Sequence, residues 1–170
     1  DVGAPCVRVF GGKIPANLSR EDAIRQVADS LAGLADHAAK RGVTLCMETH
    51  DDWCDSNHVA AVIRRANHPN IRVNWDIMHP VRVAGMTMDT AYQPIQSFVR
   101  HVHFHDGTKG ALVMKPIGQG AIDHKRALEL LKGAGYDGFF SGEWIKWEPW
   151  EVHLPREIAA MKKYEASLQS

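Results

Sequence analysis

Residues 43–48, V-T-L-C-M-E, form a nearly continuous apolar run that ends in a carboxylate. Such a run is typical of a strand that is buried on both faces in a parallel sheet covered by helices. Before the Gly42 stop, apolar residues recur at helical spacing from Ile24 to Ala38, behind Ser19 as a helix N-cap. This stretch therefore predicts a helix followed by a parallel strand.

The same alternation of strand and helix recurs five times along the chain. Strands are predicted over 6–10, 43–47, 71–75 and 99–104, with a last one around Phe139 and Phe140. Alternation of this kind indicates an α/β fold in which helices cover a parallel sheet. We find no change of composition that would mark a linker, so a single domain is predicted over 1–170.

Cap and stop residues predict the ends of the remaining helices. Ser56 is predicted to cap the second helix and Asp123 the fourth. The third helix is predicted over 90–99 and the last over 155–168, and a glycine-rich loop is predicted over 107–120.

The chain has five strand–helix units in 170 residues. A complete (β/α)8 TIM barrel has eight such units in about 250 residues, so this chain is three units short. We therefore predict the C-terminal five β/α units of such a barrel, with the first three absent. A doubly wound open sheet would also accommodate five strands, but its G-x-G-x-x-G nucleotide signature is absent. Five strands would leave two open sheet edges, so we expect self-association into a homo-oligomer or cover by further sequence.

Composition excludes several classes of partner. Lys plus Arg and Asp plus Glu are each 20, so the neutral chain has no electrostatic footprint for nucleic acid or an anionic membrane. There is no apolar run of about 18 residues, and the opening D-V-G-A-P lacks the charged and apolar regions expected of a signal peptide. Cys6 and Cys46 lie in apolar strand runs, which predicts reduced, buried thiols. A cytoplasmic protein is expected.

Acidic or imidazole side chains stand at the carboxyl ends of four predicted strands. They are Glu48, Asp76 in I-R-V-N-W-D, His103 in H-V-H and Glu143 in G-F-F-S-G-E. A parallel barrel brings its strand ends onto one rim, where these side chains would meet. Three carboxylates and an imidazole are a hard, oxygen-rich ligand set, and they predict a site for a divalent metal.

Some neighbouring residues remain open to two interpretations. Histidines 101, 103 and 105 share one face of a regular strand, so alternation alone does not select the ligand. His50 lies just beyond Glu48, and Lys109 follows the strand of His103. Both could contact substrate; His50 could equally be solvated, and Lys109 could be an ordinary surface lysine.

Several motifs together resemble the xylose isomerase-like barrels, particularly the sugar phosphate isomerase/epimerase group. They are G-A-P-C-V-R-V-F-G-G at 3–12, L-C-M-E-T-H at 45–50, N-W-D-I-M-H at 74–79, H-V-H-F-H-D at 101–106, I-G-Q-G-A-I-D at 117–123, G-Y-D-G at 135–138 and S-G-E-W at 141–144. The resemblance implies a metal held by Glu48, Asp76, His103 and Glu143. It also implies that His79, in D-x-x-H, reaches the substrate.

The activity implied by this resemblance is that of a metal-dependent sugar or sugar-phosphate isomerase or epimerase. Glu48 and Glu143 would move protons on a small polyhydroxy carbonyl substrate through an enediolate, with Mn²⁺, Mg²⁺ or Co²⁺ bound, or Zn²⁺. One alternative is a dehydratase of the inosose or dehydroshikimate type. A second, non-catalytic alternative is an inactive barrel fragment or a self-associating half-barrel.

Overall fold

The structure, a computed structural model, describes residues 3–168. Five parallel strands form the main sheet in the order β1-β2-β3-β4-β7, and they are β1 (Cys6–Val9), β2 (Thr44–Glu48), β3 (Ile71–Asp76), β4 (Val99–His103) and β7 (Phe140–Ser141). Strands β5 (Asp106–Gly107) and β6 (Met114–Lys115) form a separate antiparallel hairpin. The single domain was predicted over 1–170, and four residues of that range, 1, 2, 169 and 170, lie outside the described residues.

The helices cover one face of the main sheet. They are α1 (Arg20–Ala39), α2 (Ser56–Ala66), α3 (His79–Arg82), α4 (Met88–Tyr92), α5 (His124–Gly133) and α6 (Trp150–Ser167), with a 3₁₀ turn at Asp51–Trp53. Successive pairs α1–α2, α2–α4, α4–α5 and α5–α6 are in contact. Within residues 3–168, no helix has both the length and the apolar character needed to cross a membrane.

Strand order follows chain order without the reversal that defines a doubly wound sheet. This order confirms the predicted barrel type and argues against the doubly wound alternative. The chain contains five consecutive β/α units of a (β/α)8 fold.

The two faces of the sheet differ in chemistry because side chains alternate along each strand. On the helix side, Leu45, Val73 and Trp75 are buried in the hydrophobic core. Glu48 and Asp76 alternate with these residues and lie on the opposite, concave side, and both are fully buried at 0% exposure. The sheet therefore presents its polar residues on the concave side, at the carboxyl ends of the strands.

The ladder between β3 and β4 contains one irregularity. Val73 pairs with Val99, but Asn74 pairs with His101, so Arg100 is left without a partner in the ladder. This is the pattern of a β-bulge. After the bulge, Asp76 lies directly opposite His103.

Three helix caps test the sequence predictions. The hydroxyl of Ser19 accepts from Asp22 N at 3.1 Å, and the carboxylate of Asp123 accepts from Arg126 N at 2.9 Å, which confirms both. The predicted cap at Ser56 is wrong, because Asp55 accepts from Asn57 N at 2.9 Å and Ser56 is the first, buried residue of α2.

Two helix ranges also differ from prediction. The helix predicted over 90–99 corresponds to α4. It begins earlier than predicted, because Thr87 and Thr90 form a reciprocal capping box, and it ends at Tyr92, ahead of Pro94. The last helix begins at Trp150, since the N–H groups of residues 152 and 153 both donate to Pro149 O, and Pro155 lies inside it.

The loop and the thiols also differ in part from expectation. The loop predicted over 107–120 contains the β5–β6 hairpin and is fastened by Asp106, whose carboxylate accepts from Gly118 N and Gly120 N at 2.9 Å each. Cys46 is buried, whereas Cys6 is half-buried because β1 is an edge strand, and both thiols are free.

Candidate metal centre

The structure brings four side chains together that are far apart in the sequence. One ligand atom from each of Glu48, Asp76, His103 and Glu143 lies within 4.8 Å of all the others. Ligands on opposite sides of a small divalent cation stand about 4.2 Å apart, because each bond is about 2.1 Å long. The spacing of this four-residue cluster therefore suits such a cation after small adjustments.

Two buried atoms of the cluster have no hydrogen-bond partner among the described residues. Nδ1 of His103 lies 2.6 Å from Oε1 of Glu48 and 3.1 Å from Oε2 of Glu143, but neither contact has hydrogen-bond geometry. Oε2 of Glu48 is the second such atom. Buried polar atoms are rarely left unpartnered, and a cation between these ligands would satisfy both atoms. The residues present therefore fit a divalent metal.

Asn74 packs behind two members of the cluster. Its Nδ2 lies 3.3 Å from Oε1 of Glu48 and 3.1 Å from Nε2 of His103. Because Nε2 is engaged by Asn74, Nδ1 is the nitrogen of His103 that faces the carboxylates.

Asp76 is fixed by hydrogen bonds at both its main chain and its side chain. Thr49 Oγ1 accepts from Asp76 N at 3.0 Å and donates to Asp76 O at 3.1 Å. Oδ1 of Asp76 accepts from Met78 N and His79 N at 2.8 and 2.9 Å. Oδ2 of Asp76 accepts no main-chain hydrogen bond among the described residues, and it lies 2.6 Å from Nε2 of His105. Oδ2 is therefore the Asp76 atom available to a cation.

Arg8 joins the cluster from β1. Its Nη1 donates to Oε1 of Glu143 at 2.5 Å and lies 3.4 Å from Oε2 of Glu48. The guanidinium also stacks over the ring of Phe10, 4.5 Å from the centroid. The side chain of Arg8 is 35% exposed, so it lies at the open side of the cluster.

Charge pairing shifts the proton affinities of the cluster. Burial alone would lower the pKa of His103, but the carboxylates of Glu143 and Glu48 raise it to about 9. The close contact with His103, together with Arg8, lowers the pKa of Glu143 to about 2. Burial opposes ionisation of Asp76, yet His105 and His79 hold the pKa of that carboxyl below its usual range. At neutral pH the metal-free cluster is a network of opposite charges.

The three predicted substrate-binding residues occupy different positions. His79 is buried beside the cluster, with Nε2 3.7 Å from Oδ2 of Asp76, and it forms a second group of candidate ligands with Asp76 and His105. His50 is half-buried and packs edge-to-face on His79 at 4.4 Å between centroids. Lys109 is exposed in the turn of the β5–β6 hairpin. No structural observation tests these roles, which stay predictions.

Sequence reasoning did not assign roles to several residues that contact the cluster. Arg8 interrupts the apolar run of the first predicted strand, and a charge at such a position is the signal that could have identified it. Alternation did not distinguish His105 from His101 and His103. Thr49 and Asn74 carry no motif of their own, because their role depends on which strands are neighbours.

The match to a family profile agrees with this geometry. Residues 1–164 match the profile of the xylose isomerase-like TIM barrel. The chain belongs to this family.

Among curated proteins, an L-ribulose-5-phosphate 3-epimerase, UlaE, of Escherichia coli is similar to this chain. The two are 27% identical over 142 residues, which span 81% of this chain and 49% of the relative. The chain thus spans about half the length of the curated relatives it matches.

Solved structures share the fold at lower identity. A D-tagatose 3-epimerase-like protein superposes with a TM-score of 0.80 at 20% identity, covering 96% of this chain and 63% of that one. The probable 3-DHS dehydratase AsbF of Bacillus anthracis gives 0.77 at 18% identity, covering 93% and 63%. At these identities the likeness concerns the fold alone.

Proposed function

We propose that this chain carries the metal centre and the acid–base residues of a sugar or sugar-phosphate isomerase or epimerase. The observation that carries the proposal is the convergence of Glu48, Asp76, His103 and Glu143 within 4.8 Å at the ends of adjacent strands. Similarity to an L-ribulose-5-phosphate 3-epimerase supports a small polyhydroxy carbonyl compound as substrate. The proposal treats Asp76 and His103 as ligands only, and Glu48 and Glu143 as both ligands and proton carriers.

A divalent cation held there would act as a Lewis acid that polarises the substrate carbonyl and acidifies the neighbouring C–H. Mn²⁺, Mg²⁺, Co²⁺ and Zn²⁺ all accept carboxylates with one imidazole. The protein supplies the proton transfer. One of Glu48 and Glu143 removes the proton, and the other returns it to the neighbouring carbon or to the opposite face.

The two glutamates of this proposal differ in exposure. Glu143 is half-buried and stays ionised through His103 and Arg8, so it can accept a proton from a substrate entering at the open side. Glu48 is fully buried at 0% exposure. In this proposal His79 and His50, which pack edge-to-face on one another, contact a substrate hydroxyl.

Metal content tests the ligand assignment directly. Purified protein would be stripped with chelator, dialysed against Mn²⁺, Co²⁺, Mg²⁺ and Zn²⁺, and assayed for bound metal. Asp76→Ala and His103→Ala should each abolish most of the binding. His101→Ala is the matched control, because His101 lies on the same strand but outside the four-residue cluster. Unchanged metal content in both ligand variants would refute the site.

Isotope exchange tests the reaction class. Ketopentoses and their 5-phosphates, including L-ribulose 5-phosphate, would be incubated with metal-loaded protein in D₂O and followed by NMR. An isomerase or epimerase incorporates deuterium next to the carbonyl. Loss of water from the substrate would instead support the dehydratase alternative. If no compound in a broad panel exchanged or lost water, the proposed activity would be wrong for this chain.

A further inference from the structure

His105 is a buried histidine for which the proposed chemistry has no use. Its side chain is 4% exposed, and its main-chain oxygen accepts from Nε2 of His124 at 3.0 Å. Nε2 of His105 lies 2.6 Å from Oδ2 of Asp76, and Nδ1 lies 2.9 Å from the main-chain oxygen of Glu143. Both of these partners are acceptors, so the ring donates a hydrogen bond from each nitrogen.

The contact with Glu143 matters because Arg8 holds the side chain of that residue, whereas little else holds its main chain. Strand β7 has only two residues and ends at Ser141, so Glu143 lies beyond the ladder. Within residues 3–168, the bond from His105 is the only hydrogen bond of the Glu143 main chain. The ring therefore connects the end of β3 to the segment after β7, across the end of β4.

We propose that His105 is a positioning residue of the metal centre. Its ring ties Oδ2 of Asp76 to the main chain of Glu143 and so holds two of the four ligands at the spacing that a cation requires. This inference rests on the proposed function, because it assumes that Asp76 and Glu143 are ligands. Oδ2 of Asp76 keeps a second lone pair for the metal while it accepts from His105. Hydrogen bonds of this kind behind a ligand typically change metal affinity by about 10- to 100-fold.

Three substitutions separate positioning from general stability. His105→Phe removes both donors and keeps the ring volume. His105→Gln retains a donor near the position of Nε2, towards Asp76. His101→Phe is the matched control, since it makes the same change at a neighbouring half-buried histidine and removes its hydrogen bond with Ser141 Oγ, 2.8 Å away. Full-length protein would be titrated with Mn²⁺ by calorimetry, and the melting temperature would be measured without metal.

The expected result is a 10- to 100-fold weaker Mn²⁺ affinity for His105→Phe at unchanged stoichiometry, with only part of the loss recovered in His105→Gln, which keeps the bond to Asp76 but not the bond to Glu143. His101→Phe should bind within about threefold of wild type. Wild-type affinity in His105→Phe would overturn the inference. So would a lower stoichiometry with unchanged affinity, which would indicate unfolding of part of the sample. If His105→Phe does not fold, the inference fails unless His105→Gln binds Mn²⁺ less tightly than wild type but at full stoichiometry.

The two proposals fail in distinguishable ways. If Asp76→Ala loses Mn²⁺ and the His105 variants do not, only the positioning role of His105 is wrong. If Asp76→Ala binds Mn²⁺ like wild type, the metal centre itself is wrong, and the role of His105 falls with it.

Discussion

Nη1 of Arg8 lies 2.5 Å from Oε1 of Glu143 and 3.4 Å from Oε2 of Glu48, so one guanidinium links the two glutamates assigned to proton transfer. Arg8 stands where it neutralises carboxylates that a cation would also neutralise. Arg8→Met should therefore destabilise the metal-free protein and enlarge the rise in melting temperature on adding Mn²⁺. Arg25→Met, which removes an exposed pairing with Asp22, is the control. An equal metal-induced rise in wild type and Arg8→Met would contradict this prediction.

The pairing of His103 with Glu143 predicts a stability optimum for the metal-free protein in mildly acidic solution. The pKa of His103 is raised to about 9, so its contribution is complete below its ordinary value of 6.5 and is lost as pH rises towards 9. The pKa of Glu143 is lowered to about 2, so its contribution is complete above 4.5 and is lost as pH falls towards 2. Urea unfolding from pH 3 to 9 should show greatest stability between about 4.5 and 6.5. In His103→Gln the alkaline decline should flatten, and a persistent decline would assign it to another group.

Turnover should be more sensitive than metal binding to the loss of a proton carrier. Glu143→Gln keeps an oxygen that can coordinate but cannot take a proton, so kcat on an identified substrate should fall by roughly 10²–10⁴. Glu129→Gln, an exposed change on α5, should leave kcat unaltered. A Glu143→Gln enzyme with wild-type turnover would remove Glu143 from the acid–base pair.

A buried carboxylate away from the metal centre predicts a pure stability effect. Glu157 is fully buried, and it accepts from Ile117 N at 2.8 Å and from Arg156 Nε at 2.6 Å. Glu157→Ala leaves the Ile117 N–H without a partner and should lower the free energy of unfolding by about 3 kcal/mol. Glu151→Ala, on the exposed side of the same helix, should cost less than about 0.5 kcal/mol. Mn²⁺ affinity should stay unchanged in both; a loss in Glu157→Ala would connect α6 to the metal site.

The two edge strands of the sheet predict self-association. Phe139 beside β7 is 80% exposed, and Val7 on β1 is 45% exposed. Exposed apolar residues on open edges favour pairing with another chain. Light scattering should therefore give a mass above that of a monomer for wild type and a lower mass for Phe139→Lys. Leu34→Lys, at an apolar residue on α1 that is 56% exposed, should not change the mass. A monomeric wild type would refute this prediction.

The strands and the four cluster residues were predictable because both depend on local patterns. An apolar run followed by a carboxylate predicts β2 with Glu48, and the same logic applies to Asp76. His105 was not predictable, because alternation places residues 101, 103 and 105 on one face. The structure ends β4 at His103, whose Nδ1 faces Glu48 and Glu143, and His105 lies beyond the strand and reaches Asp76. The role of Arg8 depends on how far the sheet curves, which no local pattern encodes.

The bulge at Arg100 bears on how this site tolerates changes in chain length. In an unbroken ladder, Val73 opposite Val99 would place Asp76 opposite Val102 instead of His103. One surplus residue thus sets which side chain of β4 stands beside the aspartate. Deleting Arg100 would remove this surplus residue and leave Asp76 opposite His103, whereas deleting Val102 would shift His103 by one position and turn it towards the helices, since successive side chains face opposite ways. Many point substitutions on the outer surface can leave the ligand set in place, whereas a one-residue deletion beyond the bulge would dismantle it.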